Sequence, residues 1–125
     1  MPSRVVVVED DEKSRRLLTD VLGHHGFEVE AFETGEECLA ASADAPPDAV
    51  LLDIQLPGIS GFEVLWCLRQ RVRAQRLPIL AVTASVMDQD RKKIMAAGFD
   101  AYVPKPVNIR ELVQTLRALL GGPET

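Results

Sequence analysis

The feature that most restricts the fold is a regular alternation of short apolar runs with amphipathic segments along the chain. The run "RVVVV" is continuously apolar and β-branched after its arginine, which is typical of a strand buried on both faces. The mostly apolar runs "AVLLD" and "LPILAVTA" predict a central strand and a further buried strand. A fourth run, "FEVEAF", alternates and predicts a less buried strand at the edge of a sheet. A fifth, "AYVP", predicts a short strand. Strands of the fully buried kind need helices on both faces of their sheet.

Helical segments follow the strands, so the chain divides into five strand–helix units. Helices are predicted over residues 12–24, 34–43, 61–73 and 88–97, and after Asn108, which suits a helix N-cap. The first helix carries an apolar stripe of Leu17, Leu18, Val21 and Leu22. Five units joined by right-handed crossovers predict an α/β fold, a doubly wound (βα)5 flavodoxin-like three-layer sandwich with strand order 2-1-3-4-5. A closed barrel would need about eight units.

Composition limits the class of protein. At 125 residues, with 46% hydrophobic and 26% charged residues, we expect one domain with a core over about residues 4–120 and a tail at 121–125. Fourteen basic and nineteen acidic side chains give a net charge of −5, which argues against direct contact with nucleic acid. No apolar run approaches the roughly 20 residues of a membrane span. We therefore expect no membrane contact, a cytoplasmic location and two reduced cysteines.

Polar residues at the predicted strand ends indicate the function. In doubly wound sheets, ligands bind outside the carboxyl ends of the strands. The residues at those ends are Glu9, Asp10 and Asp11 after the first strand, Asp53 at the third, Thr83 at the fourth and Lys105 at the fifth. The predicted topology therefore collects acidic groups, a hydroxyl and an ammonium at one edge of the sheet.

Asp53 is central to this cluster, because it ends a buried run where an unpaired charge is costly. Neighbouring strands lie about 4.8 Å apart, so Glu9 or Asp10 would face Asp53 closely enough for like charges to conflict. A cation removes the conflict, and a few carboxylates with waters are the usual ligands of Mg²⁺. Lys105 adds a positive charge and Thr83 a hydroxyl donor. The set predicts a site at which Asp53 is phosphorylated while metal and lysine neutralise the transferred group.

Each of these residues alone has an ordinary structural explanation. An Asp after a strand is more often a turn or helix-cap residue, and "EDDE" before a helix favours the helix dipole whatever its function. A single Thr in a strand, or a Lys before Pro, carries little information. The functional interpretation rests on their combination, since four strand ends carry complementary groups.

As a set, the motifs "VVEDD", "LLDIQLPGISG", "VTA" and "KP" resemble the receiver domain of two-component response regulators, over about Arg4 to Leu120. The chain is most similar to single-domain DivK-type receivers and to receivers of hybrid histidine kinases. The resemblance implies that Asp53 accepts a phosphoryl group from a phosphohistidine on a sensor histidine kinase or phosphotransfer protein. It also implies that the protein is a signalling switch rather than an enzyme. Such a switch catalyses only its own phosphorylation and dephosphorylation.

The same resemblance implies a role for each site residue. Mg²⁺ would be held by Asp10, by Asp53, by Glu9 through water and by the backbone carbonyl of Gln55. Lys105 and Thr83 would contact phosphoryl oxygens, Tyr102 would be the aromatic that turns inward behind Thr83, and Lys105–Pro106 would be a cis peptide. The face formed by the fourth helix, fifth strand and fifth helix would then change its affinity for a downstream protein. Whether phosphorylation also produces a homodimer is left open.

Three alternatives stay open at this point. A phosphate- or flavin-binding enzyme of this fold needs a loop rich in Gly or Ser/Thr after the first strand, and this chain has "EDDEKS". A phosphatase with an aspartate nucleophile resembles "DxD", and here the second position is Gln55. The last alternative is a receiver that binds partners without accepting phosphate; the presence of Asp53, Thr83 and Lys105 disfavours it without excluding it.

Overall fold

Strands and helices alternate in the computed structural model, which describes residues 3–41, 47–71, 77–84 and 87–121. The strands are β1 (Arg4–Val8), β2 (Glu28–Phe32), β3 (Ala49–Asp53), β4 (Ile79–Thr83) and β5 (Ala101–Pro104). The helices are α1 (Glu12–His24), α2 (Gly35–Ala41), α3 (Gly61–Arg69), α4 (Asp88–Ala97) and α5 (Ile109–Leu119). None of the helices in the described ranges has both the length and the apolar character of a membrane span.

All five strands are parallel and lie in the order β2-β1-β3-β4-β5, which confirms the predicted fold and the edge position of β2. The register pairs Val8 with Leu52 and Asp53 with Val82. It also pairs Thr83 with Pro104, immediately before Lys105. The polar residues that follow β1, β3, β4 and β5 therefore meet at one edge of the sheet.

A separate hydrophobic core covers each face of the sheet. Val6 and Val8 of β1 face the core made with α2, α3 and α4, whereas Val5 and Val7 face the core made with α1 and α5. This division follows from the two-residue period of a strand, which sends alternate side chains to opposite faces. It also explains why β1, β3 and β4 are continuously apolar, since both of their faces are covered.

Local signals set several helix boundaries. The side chains of Asp11 and Asn108 accept backbone N–H bonds at the starts of α1 and α5. Gly98, with φ of 113°, ends α4 in the left-handed region, where glycine has no steric penalty. The helix predicted over residues 61–73 ends earlier, at Arg69, because Gln70 forms its C-cap and Arg71 lies in a bend. Residues 42–43 of the predicted α2, residues 72–73 and residues 122–125 of the predicted tail lie outside the described residues.

One prediction about α1 is wrong. Leu18 and Leu22 are buried as expected, but the Leu17 side chain is 57% exposed. Successive residues of a helix point about 100° apart, so Leu17 turns away from the core that Leu18 enters. Leu17 instead faces the loop after β5, next to Pro106 and Val107.

Candidate functional site

Glu9 lies at the end of β1 and is almost completely buried, with 1% of its surface exposed. Its backbone N–H continues the sheet by donating to the carbonyl of Phe32 at 3.0 Å. Its carboxylate Oε2 accepts the N–H of Asp11 at 3.1 Å. Since Asp11 in turn caps α1, the turn from β1 into the helix fixes the direction of the Glu9 side chain.

Asp53 ends β3 and is 4% exposed. Its Oδ1 accepts the backbone N–H of Gln55 at 2.9 Å. Gly61, the first residue of α3, approaches this strand end so closely that a Cβ there would lie 2.6 Å from the carbonyl oxygen of Asp53. The absence of a side chain at position 61 therefore allows the start of α3 to pack directly against the backbone of Asp53.

Lys105 connects three strand ends. Its backbone N–H donates to the carbonyl of Thr83 at 2.8 Å, which extends the pairing of β4 and β5. Its Nζ lies 2.9 Å from Asp53 Oδ2 and 2.8 Å from Glu9 Oε1. The Lys105–Pro106 peptide bond is cis, as the sequence resemblance implied. The predicted meeting of Glu9, Asp53 and Lys105 is confirmed by these contacts.

Three carboxylates converge at this edge. Glu9, Asp10 and Asp53 each offer an oxygen, and the three oxygens lie within 4.8 Å of one another. Among the described residues, buried Glu9 Oε1 accepts no well-aligned hydrogen bond, and its contact with Lys105 is an ion pair. An all-oxygen set of three converging carboxylates fits a hard divalent cation such as Mg²⁺. Asp10 is exposed, which leaves the side of the cluster facing solvent open to waters.

Electrostatics reflect this crowding of charge. Burial, followed by the neighbouring Asp53, raises the pKa of Glu9 to about 7, against the opposing effect of Lys105. For Lys105, burial disfavours the charge, but Glu9 and Asp53 outweigh it and raise the pKa of the ammonium. Burial thus favours the neutral form of Glu9, whereas the two carboxylates favour the charged form of Lys105.

The remaining predicted residues lie where the topology requires. Thr83 is 2% exposed at the end of β4. Tyr102 is half-buried on β5, and the Arg91 guanidinium of α4 lies 5.0 Å from the centre of its ring. Gln55 directly follows the Asp53 turn. The switch roles of Thr83 and Tyr102, and the Gln55 carbonyl as a metal ligand, stay predictions.

Arg15 is a site residue that the sequence analysis missed. Its Nη1 donates to the carbonyl of Glu9 at 2.9 Å and lies 3.4 Å from that of Asp10. Its Nη2 forms an ion pair with Glu33 at 3.6 Å. Arg15 thus ties α1 to the backbone that carries two of the three acidic residues. No sequence pattern separates it from its neighbour Arg16, because the distinction depends on which carbonyls lie within reach.

A cavity of about 400 Å³ opens beside the site, and we call it the apolar cleft. It is lined by Ser14, Leu17, Leu18, Lys105, Pro106 and Val107. Leu17 forms an exposed apolar wall, and Lys105 belongs both to the cleft and to the acidic cluster. A molecule bound in the cleft would therefore contact Lys105, whose Nζ lies 2.9 Å from Asp53 Oδ2.

Comparison with known proteins agrees with this geometry. The family model of the response regulator receiver domain matches residues 5–117. The polar-differentiation response regulator DivK of Brucella anthropi is 36% identical over 121 residues, which make up 97% of this chain and 98% of that protein.

Solved structures of receivers superimpose on nearly the whole chain. The receiver domain of a sensor histidine kinase from Pseudomonas aeruginosa has a TM-score of 0.90 at 26% identity, covering 98% of this chain and 100% of that one. That structure contains a magnesium ion coordinated in its active-site cleft. A chemotaxis response regulator of Vibrio cholerae gives a TM-score of 0.89 at 28% identity, covering 95% of this chain and 99% of that one.

Proposed function

Since the chain belongs to the response regulator receiver domain family, whose members are phosphorylation-dependent signalling switches, we propose that Asp53 is its phosphoryl acceptor. The donor would be a phosphohistidine on a sensor histidine kinase or a phosphotransfer protein. The observation that carries the proposal is the buried Asp53 carboxylate, held 2.9 Å from Lys105 Nζ beside two further acidic residues.

The chemistry is a transfer between two side chains. A carboxylate oxygen of Asp53 forms a bond to phosphorus as the phosphorus–nitrogen bond of the donor breaks, and the released imidazole nitrogen takes up a proton. The Gln55 N–H and Lys105 Nζ hold the carboxylate in one orientation before the donor arrives. Lys105 also offers a positive charge to the oxygens of the incoming group.

The acidic residues fit the metal that this transfer needs. Glu9, Asp10 and Asp53 would hold Mg²⁺, together with the Gln55 carbonyl, and the bound ion would neutralise charge on the transferred group. The coordinated magnesium in the Pseudomonas aeruginosa receiver domain supports this assignment.

The proposed response involves α4, β5 and α5. Thr83 would bond the phosphoryl group and Tyr102 would turn inward behind it, which changes the face that a downstream protein contacts. Ile94 is the buried residue of α4, and Arg91 and Lys93 lie over the rings of Tyr102 and Phe62. A helix with so little apolar anchoring is suited to shift at low cost.

The donor would dock at the apolar cleft. A protein that delivers a phosphohistidine to Asp53 must cover the sheet edge, and the exposed Leu17 with Pro106 offers apolar surface there. Docking at this point brings the donor beside Lys105 while it leaves α4 uncovered, since α4 packs on the opposite face of the sheet from α1.

Other features of the proposal come from the sequence. The chain would act as one receiver domain with a core over about residues 4–120, and the two cores described above draw on most of that range. It would work in the cytoplasm as a switch rather than as an enzyme that turns over a separate substrate. Homodimerisation on phosphorylation stays an open part of the proposal.

The direct test is phosphorylation by a small acyl phosphate, followed by intact mass. The wild type is expected to gain one phosphoryl group with Mg²⁺ and none without metal. Asp53→Asn should gain none, whereas Asp20→Asn, an exposed carboxylate on α1, should behave as the wild type does. Phosphorylation of Asp53→Asn, or none of the wild type under any metal condition, would overturn the proposal.

A further inference from the structure

A second groove lies between the end of α1 and α5, and we call it the basic groove. It is lined by His25, Arg110, Val113, Gln114 and Arg117 and has a volume of about 600 Å³. Arg117 Nη2 lies 3.4 Å from the carbonyl of His25, so the two helices are linked at this point. The groove shares no lining residue with the acidic cluster or the apolar cleft.

The positive charge of the groove follows from the spacing on α5. Arg110, Gln114 and Arg117 lie at positions i, i+4 and i+7, which places them within about 60° on one side of the helix. Val113 lies beside them and is buried, so it forms an apolar floor. Glu111 points about 100° away from Arg110 and faces a different side.

The shape of the groove favours a macromolecular partner. Four of its five lining residues are exposed, and a small molecule bound there would stay largely in water. Small-ligand sites typically bury about 70–90% of the ligand surface. A helix laid along α5 would cover the groove much more completely.

Charge and spacing together define the partner chemistry. The two arginines are separated by seven residues, or about 10 Å along the axis of α5. An amphipathic helix with acidic residues seven apart would place a carboxylate at each guanidinium, and an apolar residue between them would meet Val113. Nucleic acid fits less well, because the chain carries a net charge of −5.

We propose that the basic groove is a docking surface for an acidic amphipathic helix of a partner protein, and that this docking does not depend on phosphorylation. His25 follows the end of α1, and the 13 residues of that helix span about 20 Å from the acidic edge. The groove lies where α5 meets the end of α1, and none of its lining residues belongs to α4 or β5, the other two elements of the proposed switching face. The shifting helix α4 packs on the opposite face of the sheet from α1 and α5. The groove thus anchors a partner while the α4 side changes with the signal.

The test is a titration of the full isotope-labelled chain, followed by amide chemical shifts. The probe is a capped helical peptide with Glu at positions i and i+7 and Leu at i+3 and i+4. We expect saturable shifts confined to His25 and the lining residues of α5, weakened by salt. The double variant Arg110→Gln/Arg117→Gln should bind about fivefold more weakly, as should the peptide with Gln in place of Glu.

A matched double variant separates the groove from net charge. Arg16→Gln/Lys92→Gln removes two exposed positive charges outside the groove and should bind as the wild type does. Titration of phosphorylated chain and of Asp53→Asn should give the same affinity as the unmodified chain. Binding to the unmodified chain and to Asp53→Asn does not require the proposed acceptor role, and only the arm with phosphorylated chain rests on it. Failure of the docking proposal is therefore distinguishable from failure of the proposed function.

Several results would overturn the inference. They are absence of saturable shifts, shifts outside the groove, equal weakening in the control variant, and an affinity that changes with phosphorylation. Tighter binding of a single-stranded DNA oligonucleotide than of the peptide would assign the groove to nucleic acid instead. Concentration-dependent dimerisation of the free chain, lost in Arg110→Gln/Arg117→Gln, would assign it to a second copy.

Discussion

Lys105 Nζ lies 2.9 Å from Asp53 Oδ2, so an internal cation already occupies part of the space around the acidic cluster. Replacing it in Lys105→Met leaves Glu9 and Asp53 buried without their counter-charge, and should destabilise the metal-free protein by about 2 kcal/mol. Mg²⁺ should bind this variant more tightly than the wild type, because the repulsion from the ammonium is gone, and should restore stability. Urea unfolding with and without metal measures both effects.

The control for this prediction is Lys92→Met, which changes an exposed lysine on α4. It should leave both the free energy of unfolding and the Mg²⁺ affinity nearly unchanged. Phosphorylation of Lys105→Met by an acyl phosphate should be slow even with metal bound, since the positive charge beside the acceptor is lost. Unchanged stability and metal affinity in Lys105→Met would contradict this account of the site.

Glu9 should make the metal-free protein less stable as pH rises towards neutrality. Burial raises its pKa from 4.5 to about 7, so the folded state holds the proton more firmly than the unfolded state does. The stabilisation is fully present below about pH 4.5 and is lost as pH rises through about 7. We expect a fall on the order of 3 kcal/mol across this window in urea unfolding, and a much flatter profile for Glu9→Gln.

Other groups with shifted pKa values titrate outside that window. Hydrogen bonds from Ser14 lower the pKa of Asp11, so its contribution is lost only in more acidic solution. Lys105 has a raised pKa and stays charged throughout. If the free energy of unfolding of Glu9→Gln fell with pH as steeply as that of the wild type, burial of Glu9 would not be the cause of the pH dependence.

Arg15 should act as a positioning residue for the metal site. Its guanidinium holds the carbonyls of Glu9 and Asp10, so Arg15→Ala should loosen that turn and weaken Mg²⁺ binding by about tenfold. Isothermal titration measures the affinity, and hydrogen exchange of the Asp10 and Asp11 amides in metal-free protein reports the loosening directly. Arg15→Lys should recover part of the affinity.

The adjacent Arg16 is a matched control, because it lies on the same turn of α1 and is exposed. Arg16→Ala removes the same charge and should leave both the metal affinity and the amide exchange as they are in the wild type. Equal losses in the two variants would show that net charge, rather than the contact of Arg15 with the two carbonyls, sets the affinity.

The sequence predicts β1, β3 and β4 well because burial of both faces requires a nearly continuous apolar run, and it predicts β2 at an edge because its apolar residues alternate. The run Val5–Val8 is short and entirely β-branched, which favours a strand inside a two-sided sheet, and the crossover rule then limits the strand order. The site follows from the same rule, since Asp53 and Lys105 each stand at a strand end. Their meeting is a property of the topology and needs no knowledge of side-chain conformation.

The residues that sequence reasoning missed depend on distances that no periodicity encodes. Arg15 and Arg16 are adjacent residues of the same type, so the sequence does not distinguish their roles. Only Arg15 has the carbonyls of Glu9 and Asp10 within reach of its guanidinium. Leu17 lies in a plausible apolar stripe, yet one step of 100° turns it out of the core. The sequence does not distinguish Gly61 from other glycines at the start of a helix. Its role depends on the close approach of its backbone to the Asp53 carbonyl, which only the structure shows.

Gly61→Ala should be destabilising. Its Cβ would lie 2.6 Å from the carbonyl oxygen of Asp53 and 2.9 Å from Cα of Ile54, so backbone must move to accommodate it. We expect a loss of about 2 kcal/mol in urea unfolding and slower phosphorylation, because the acceptor moves with its strand end. In Gly23→Ala, the new Cβ meets nothing within 4 Å inside α1, and the variant should be stabilised by up to about 1 kcal/mol. A neutral Gly61→Ala would contradict the packing argument.

Leu17 should matter only when the phosphoryl donor is a protein. In Leu17→Ala, the acidic cluster and Lys105 are unchanged, so phosphorylation by a small acyl phosphate should keep the wild-type rate. Transfer from a phosphotransfer protein that is active on the wild type should show a kcat/KM about fivefold lower, because apolar surface of the cleft is lost from the encounter. Met95→Ala, an exposed apolar residue of α4, is the control and should leave both rates unchanged. Equal slowing of both reactions in Leu17→Ala would mean that Leu17 supports the site itself, and an unchanged protein-donor rate would place the donor elsewhere on the sheet edge.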